Sequence, residues 1–278
     1  MTAPSQELRS SRTDGHGPAV RLDAVSKVYG RELLALDRVS LSVDRAEFVC
    51  LLGASGCGKS TLLNLVAGLD HATAGTIDTQ GGRVAMMFQE PALFPWLTVS
   101  ANIELALRVT SKGKSTTKKE RRERAAELLD IVHLTGFGGK RPHELSGGMR
   151  QRVALARSLA QEADVLLMDE PFGALDAMTR DLLHDQLERI WRERRLTVLF
   201  VTHNVREAVR LGDRVVLLSS RPGTVIHDFP VDLPRPRRTD SAEVAEMTTT
   251  ITDRLRQEVL RHAKPAPQPV GAAARGDG

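Results

Sequence analysis

The 278-residue sequence has few cysteines, few aromatic residues and no long hydrophobic run. Its two cysteines are too few for a disulfide-stabilised scaffold and fit a reducing compartment. No apolar run approaches the roughly 20 residues that span a bilayer, and the first residues lack the apolar stretch of a secretory signal. The net charge of +4 is a mild excess. The basic segment that begins at Ser111 has no interleaved aromatic residues for base stacking, so we expect no nucleic-acid partner.

Apolar runs alternate with helical patterns between two polar tails, residues 1–18 and 263–278, which we expect to be disordered. The runs FVCLLG, VLLMD and TVLFVT are apolar at nearly every position, as in strands buried on both faces of a mostly parallel sheet. Strands that alternate with helices predict an α/β fold.

Seven strands and six helices are predicted from these patterns. The strands are 20–28, 39–43, 48–52, 84–88, 165–168, 197–202 and 214–218. The helices are 59–67, 99–109, 117–132, 148–161, 177–194 and 205–211. Residues from 98 to about 145 show helices and no convincing strand, which predicts a helical subdomain inserted into the α/β body, extending to about 160 with the helix that follows. A further helix is predicted for residues 241–262.

The segment GASGCGKST, residues 53–61, contains the phosphate-loop pattern between an apolar strand and a helix. Its glycines allow backbone turns that a Cβ would block, so that successive N–H groups can face phosphate oxygens. A glycine-rich turn before a helix is the alternative, and the strand–loop–helix context favours nucleotide binding. Lys59 would contact the terminal phosphates and Ser60 would coordinate Mg²⁺. The residues predicted to bind nucleotide here are Gly53, Ala54, Ser55, Gly56, Cys57, Gly58, Lys59, Ser60 and Thr61.

Cys57 lies inside this loop and has two interpretations. The simpler one is a small residue whose side chain points away from the phosphates. The other is a thiol whose modification blocks ATP binding, because a helix N-terminus lowers the pKa of a thiol.

Two acids follow the apolar strand in VLLMDEP, residues 165–171. Ligands of open parallel sheets bind beyond the carboxyl ends of the strands. We therefore expect Asp169 to hold Mg²⁺, directly or through water, and Glu170 to polarise the attacking water as general base.

The segment LSGGMRQR, residues 145–152, precedes a helical pattern and resembles the signature motif of ABC transporter ATPases. The resemblance covers about residues 22–218 and includes further motifs in the family order. These are Tyr29 at the position of the adenine-stacking aromatic, Gln89 of the Q-loop, FGALD at residues 172–176 as the D-loop, and His203 as the switch histidine. The resemblance implies a P-loop NTPase core, an N-terminal antiparallel β subdomain and an ABC ATPase domain over residues 19–240.

The resemblance also implies roles for these residues. Gln89 would sense the γ-phosphate through Mg²⁺ or the attacking water, with a surface glutamine as the alternative. His203 would hold the γ-phosphate and that water, although a lone histidine after a strand is more often structural. Asn204 departs from the acidic residue that many relatives carry. Ser146 and Gly148 would contact the γ-phosphate held by a second ATP-binding subunit, with a plain helix N-cap as the alternative for Ser146.

The absence of fused membrane helices, of a coiled coil and of a second ATP-binding domain is typical of a separate importer ATPase. Residues 89–103, 207–223 and the motif LPRPRR at 233–238 look like the nitrate, sulfonate and taurine importers. The segment after LPRPRR, with Glu243, Leu255 and Val259 at near-helical spacing, looks closest to aliphatic sulfonate importers. Such a subunit would bind ATP and Mg²⁺, form a homodimer and lie at the cytoplasmic face of the membrane. It would dock on two permease subunits, to which a solute-binding protein would deliver the solute.

Two alternatives to this interpretation stay open. One is a soluble ABC-type ATPase without a membrane partner, and the other is an importer ATPase for another small anion or solute.

The aromatic cluster Phe94-Pro95-Trp96 follows Gln89 and has two interpretations. It forms either a groove for a short helix of the membrane subunit or part of the core of the helical subdomain. The sequence does not choose between them.

Overall fold

The computed structural model describes residues 17–30, 32–110, 116–173 and 175–262. The two predicted disordered tails lie outside the described residues except for Gly17 and Pro18, and so do residues 111–115 of the basic segment. The strands are β1 Val20–Tyr29, β2 Leu33–Val43, β3 Phe48–Leu52, β4 Ala74–Asp78, β5 Val84–Met87, β6 Val165–Asp169, β7 Thr197–Val201, β8 Arg214–Leu218 and β9 Val225–Pro230. The helices are α1 Lys59–Val66, α2 Val99–Thr110, α3 Lys118–Ile131, α4 Gly147–Leu159, α5 Ala177–Arg194, α6 Val205–Leu211 and α7 Ala242–His262, with a 3₁₀ turn at Pro142–Glu144.

A six-stranded sheet with the order β5-β6-β7-β3-β8-β9 forms the centre of the fold. The pairs from β5 to β8 are parallel, and β9 joins the edge in antiparallel register. Every residue of β3, β6, β7 and β8 is buried, as expected for strands covered by helices on both faces. The α/β class with a mostly parallel sheet is therefore confirmed.

A second, antiparallel sheet has the order β2-β1-β4. Alternate residues of β1 and β2 are buried against the central sheet, and Leu22, Val39 and Leu62 of α1 belong to one hydrophobic cluster. This sheet is the antiparallel β layer that the family resemblance implies.

Between β5 and β6 the described residues form α2, α3, the 3₁₀ turn and α4, without a strand. The three helices pack on one another, and Ile103, Leu128 and Val153 share one hydrophobic cluster with Phe48 and Phe200 of the central sheet. The helical segment therefore continues the core of the α/β body.

The motif LPRPRR anchors the segment between β9 and α7. Arg237 is buried and donates hydrogen bonds to the carbonyl oxygens of Val209, Val231 and Leu233 at 2.9, 2.7 and 3.1 Å. The Arg235 guanidinium lies 4.5 Å from the centre of the Trp191 ring. This motif therefore has a packing role that the sequence alone did not reveal.

Two strands, β4 and β9, were not predicted, and β2 is longer than predicted. β4 is mostly exposed and contains Gly75 at φ +84°, and β9 is a half-exposed edge strand. β2 begins at Leu33, but its alternation is interrupted at Arg38, which has φ +46°. Exposed edges and irregular backbone weaken the period of two on which the prediction of strands depends.

Candidate functional site

The phosphate loop connects the buried strand β3 to the N-terminus of α1. Ser55, Gly56 and Ser60 are exposed, whereas Cys57 and Lys59 are buried beneath them. The loop therefore presents an open surface above a packed base.

The loop requires glycine at different positions for different structural reasons. Gly58 is the N-cap of α1 at φ +102°, and a Cβ there would lie 2.6 Å from Cδ2 of Leu36. Gly53 lies outside the left-handed region, but a Cβ there would meet Sγ of Cys57 at 2.7 Å. Gly56 and Gly58 therefore adopt the left-handed conformation that favours glycine, whereas close packing excludes a Cβ at Gly53.

Lys59 is held by its own loop. Its Nζ atom donates to the carbonyl oxygens of Gly53 and Ala54, both at 2.9 Å, and lies 3.7 Å from Sγ of Cys57. The ammonium group has three donors, and a thiol sulfur is a weak acceptor. A phosphate oxygen is a stronger acceptor than the Cys57 sulfur. We therefore expect the third N–H of Lys59 to be the one that would bind phosphate.

Asp169 ends β6 and is buried, beside Ser60 at the start of α1. Burial raises the pKa of the Asp169 carboxyl, whereas a hydrogen bond with the Ser60 side chain and the charge of Lys59 lower it. A hydroxyl and a carboxylate are the hard oxygen ligands that Mg²⁺ takes together with substrate phosphates. The donor set at this sheet edge fits Mg²⁺.

Glu170 and His203 follow the ends of the neighbouring strands β6 and β7, and their side chains are in contact. Nδ1 of His203 lies 3.2 Å from Oε2 of Glu170, and both side chains reach solvent. Glu170 has φ +44°, and its N–H bonds to the carbonyl oxygen of Val201 at 2.9 Å. A non-glycine residue in the left-handed region is a strained conformation that occurs often at functional sites.

Tyr29 lies at the end of β1 and is partly exposed. Its hydroxyl donates to Oδ2 of Asp70 at 3.1 Å, and the Lys27 ammonium lies 4.9 Å from the ring centre. Lys27 in turn donates to Oδ1 of Asp70 at 2.6 Å. The ring is therefore fixed in orientation by two neighbours.

Gln89 follows β5 and has an exposed side chain. Its carbonyl oxygen accepts a hydrogen bond from Nε2 of the buried Gln151 at 2.9 Å. Arg157 donates to the carbonyl oxygens of Pro91 and Ala92 at 2.9 and 2.6 Å. Two side chains of α4 thus bind the backbone of the Q-loop.

Ser146 is the N-cap of α4, and its Oγ accepts the N–H of Met149 at 3.2 Å. The capping role considered as the alternative is therefore present in the chain. Ser146 is exposed, and Gly148 is partly exposed at the same helix start. Within the part of the chain that the structure describes, no hydrogen bond or ion pair joins either residue to the phosphate loop.

Asp176 caps α5 by accepting the N–H of Thr179 at 2.9 Å. This bond and one from the Thr179 hydroxyl hold the pKa of the Asp176 carboxyl below its usual value. Asn204 caps α6 in the same way, through hydrogen bonds from the N–H groups of Arg206 and Glu207. Aspartate and asparagine both serve as N-caps, which explains the departure from the acidic residue at position 204.

The sequence patterns assign no individual role to Gln151, Arg157, His184 or Glu207, although Gln151 lies in LSGGMRQR and Glu207 begins the segment 207–223. Gln151, His184 and Glu207 are buried polar residues within helices, and burial of that kind calls for hydrogen-bond partners. A polar residue inside an apolar helical face indicates a buried hydrogen bond, but the sequence does not identify the residue that forms it.

No helix among the described residues has the length and apolar character needed to cross a membrane. A family model described as "ABC transporter" matches residues 36–173 of the chain.

Among curated proteins, the nitrate import ATP-binding protein NrtD of Synechocystis is 48% identical over 209 residues, 73% of this chain and 77% of NrtD. The aliphatic sulfonates import ATP-binding protein SsuB of Burkholderia thailandensis is 45% identical over 268 residues, 94% of this chain and 75% of SsuB. These two similarities extend well beyond the segment that the family model matches.

Among solved structures, a dimeric ATP-binding cassette in a post-hydrolysis state with ADP and Pi superposes with a TM-score of 0.71 at 34% identity. The superposition covers 77% of this chain and all of that chain. The chain belongs to the ABC transporter family, as an ATP-binding subunit of the kind that hydrolyses ATP.

Proposed function

We propose that this chain is the ATP-hydrolysing subunit of a bacterial importer for aliphatic sulfonates, with taurine and nitrate as the neighbouring possibilities. The likeness to the sulfonate and nitrate import proteins supports the importer assignment. Identities of 45% and 48% are too close to separate the two solutes. Segments 89–103 and 207–223 and the LPRPRR motif favour this group, and the segment after that motif favours sulfonate.

The nucleotide would lie between Tyr29 and the phosphate loop. The adenine would stack on the Tyr29 ring, whose orientation Lys27 and Asp70 fix. The loop from Gly53 to Thr61 would surround the phosphates with backbone N–H groups, and the third donor of Lys59 would bind a phosphate oxygen. Bound Mg²⁺ would neutralise charge that develops on the phosphates, held by Ser60 and Asp169, with Gln89 close to it.

The observation that carries the hydrolytic role is the contact between Glu170 and His203. A carboxylate and an imidazole at one sheet edge provide an acceptor for a proton of the attacking water and a donor for the γ-phosphate. Glu170 would polarise the water, and His203 would hold the γ-phosphate and the water in line.

Each ATP would be enclosed by two copies of the chain, packed head to tail. Ser146 and Gly148 of one copy would contact the γ-phosphate on the phosphate loop of the other. This arrangement agrees with the exposure of the α4 N-terminus and with the dimeric ATP-binding cassette that the chain resembles. The Asp176 segment would lie at the same interface.

Two permease subunits would dock beside the Q-loop. Phe94 and Trp96 are 37% and 68% exposed, with their ring centres 5.5 Å apart. This exposure favours the docking interpretation over core packing. The subunit would then lie peripherally at the cytoplasmic face of the membrane, and a solute-binding protein would deliver cargo from the other side.

Growth of a deletion strain on alkanesulfonate, taurine, sulfate or nitrate as sole sulfur or nitrogen source tests the proposal. We expect loss of growth on sulfonates alone, with rescue by the wild-type gene and by the Glu246→Gln control, which changes an exposed acid of α7. Glu170→Gln is expected not to rescue. Normal growth of the deletion strain on every source, in a background without a second such importer, contradicts the assigned group.

Copurification separates an importer subunit from a soluble ABC-type ATPase. We expect the chain to be retained in the membrane fraction only when its permease subunits are expressed with it. Purification without any polytopic partner under those conditions contradicts the importer assignment.

A further inference from the structure

A buried set of polar side chains connects α5, α6 and the loop that carries His203. We call it the switch network and define it as Thr202, His184, Glu207 and Arg210. All four residues are buried. None belongs to the nucleotide-binding motifs.

Glu207 is the centre of the switch network. Its Oε1 lies 2.7 Å from Nε2 of His184, and its Oε2 accepts the Thr202 hydroxyl hydrogen. The Thr202 oxygen then accepts the N–H of Asn204 at 3.0 Å. The Glu207 carboxylate thus holds Thr202 directly and Asn204 through the Thr202 oxygen, and these two residues flank His203.

The hydrogen-bond partners of the two His184 ring nitrogens indicate its tautomer. Nη1 of Arg210 lies 3.4 Å from Nδ1 of His184, and a guanidinium only donates. Nδ1 is therefore the acceptor, and Nε2 carries the hydrogen that His184 donates to Glu207. Arg210 is fixed in turn by Asp181 and Asp185 of α5, at 2.8 and 2.6 Å.

The switch network also reaches the D-loop. The His184 ring packs edge-on against Phe172, with ring centres 5.1 Å apart. Phe172, Thr202 and Glu207 line a small cavity of about 40 Å³ together with Glu170 and His203. The segment that would face a second copy is thus connected to the switch histidine through side chains in direct contact.

We propose that Glu207 is a positioning residue for ATP hydrolysis, which holds His203 in place through Thr202 and connects it to the D-loop through His184. The inference rests on the proposed role of His203 and Glu170. Glu207 touches neither nucleotide nor water in this role. Its removal therefore lowers kcat and leaves the nucleotide contacts of Tyr29 and Lys59 intact.

The test measures kcat and the KM for ATP on the full chain carrying Thr202→Val, which keeps the branched shape of the side chain and replaces the hydroxyl by a methyl group. We expect kcat to fall about tenfold, because small displacements of a reacting group have effects of this order, with KM within about twofold of wild type. Thr202→Ser restores the hydroxyl and is expected to restore kcat. Thr250→Val, at an exposed position of α7, is the matched control.

His184 provides the second arm. His184→Gln keeps an amide N–H near the position of Nε2 and is expected to retain most of kcat, whereas His184→Leu loses it. Wild-type kcat in Thr202→Val, or no rescue by Thr202→Ser, overturns the positioning role. The positioning role is also overturned if every variant shows a lower kcat, a higher KM and a lower melting temperature together, because that result indicates a general structural defect. Glu170→Gln is assayed alongside, since normal turnover in that variant removes the proposed hydrolytic role itself.

Discussion

Nδ1 of His203 lies 3.2 Å from Oε2 of Glu170, although the two residues are 33 positions apart in the chain. The contact arises because β6 and β7 are adjacent and parallel, so that their carboxyl ends meet at one edge of the sheet. The pair is therefore a direct product of the strand order.

Replacing Glu170 by glutamine tests the general base of this pair. We expect Glu170→Gln to bind ATP normally, to lose about 10²- to 10⁴-fold in kcat and to accumulate as an ATP-bound dimer. Phosphate release gives kcat, and size-exclusion chromatography with ATP gives the dimer. Glu246→Gln is the control, and near-normal turnover of Glu170→Gln would exclude the role of Glu170.

Replacing Lys59 by alanine tests the phosphate loop. The variant loses a charge-assisted bond to phosphate and the two bonds that tie the ammonium to Gly53 and Ala54. Hydrogen bonds to charged groups contribute about 1.5–3 kcal/mol, so we expect ATP affinity to fall roughly ten- to hundredfold. Calorimetry measures the affinity, with the exposed Lys119→Ala as control. Unchanged affinity in Lys59→Ala contradicts the assignment of the loop.

Replacing Ser60 by alanine tests the metal ligand. The hydroxyl beside Asp169 is removed, and we expect the Mg²⁺ concentration for half-maximal ATPase activity to rise at least about tenfold. Ser42→Ala, at an exposed position of β2, is the control and is expected to behave as wild type. An identical Mg²⁺ dependence in Ser60→Ala and wild type would show that Ser60 is not a ligand.

Replacing Trp96 by alanine tests the docking surface. Because this side chain is 68% exposed, its loss is expected to leave the melting temperature and the basal ATPase activity of the isolated subunit unchanged. Copurification with the permease subunits is expected to be lost. Leu69→Ala, at a residue that is 60% exposed, is the control for a generic apolar truncation. Retained copurification, or a lower melting temperature, would support the packing interpretation instead.

Replacing Arg237 by alanine tests the LPRPRR motif as a packing element. Burial and the neighbouring Arg235 lower the pKa of the Arg237 guanidinium to about 10, and its removal leaves several buried carbonyl groups without a donor. We expect a loss of about 3 kcal/mol in unfolding free energy, or roughly 6–12 °C in Tm. Arg238→Ala, at the exposed neighbour, is expected to change Tm little. Equal melting temperatures for the two variants would contradict the packing role.

The four inner strands of the central sheet, β3, β6, β7 and β8, were predictable because they are buried on both faces. The bounds of β3, β8, α5 and α6 agree with the prediction residue for residue. β4 and β9 were missed because an exposed edge strand does not need apolar residues at every second position. The prediction was strongest where burial constrains the sequence.

The candidate site was predictable where it is made of strand ends and a glycine loop. The meeting of Glu170 with His203 follows from parallel strands, and the conformation of Gly58 follows from its motif. The pair of His184 and Glu207 was not predictable, because the contact depends on how α5 and α6 pack. The binding of Gln151 to the Q-loop backbone has the same cause.

The two hydrogen-bonded links from α4 to the Q-loop have a consequence for the kinetics of the proposed dimer. Gln151 and Arg157 belong to the helix that Ser146 caps, and Ser146 is the residue proposed to contact a second copy. In the proposed dimer, a shift of the Q-loop on nucleotide binding would be transmitted to the surface that completes the opposite site. The two ATP molecules would then bind and turn over cooperatively, with a Hill coefficient above one that falls towards one when Gln151 is replaced by leucine.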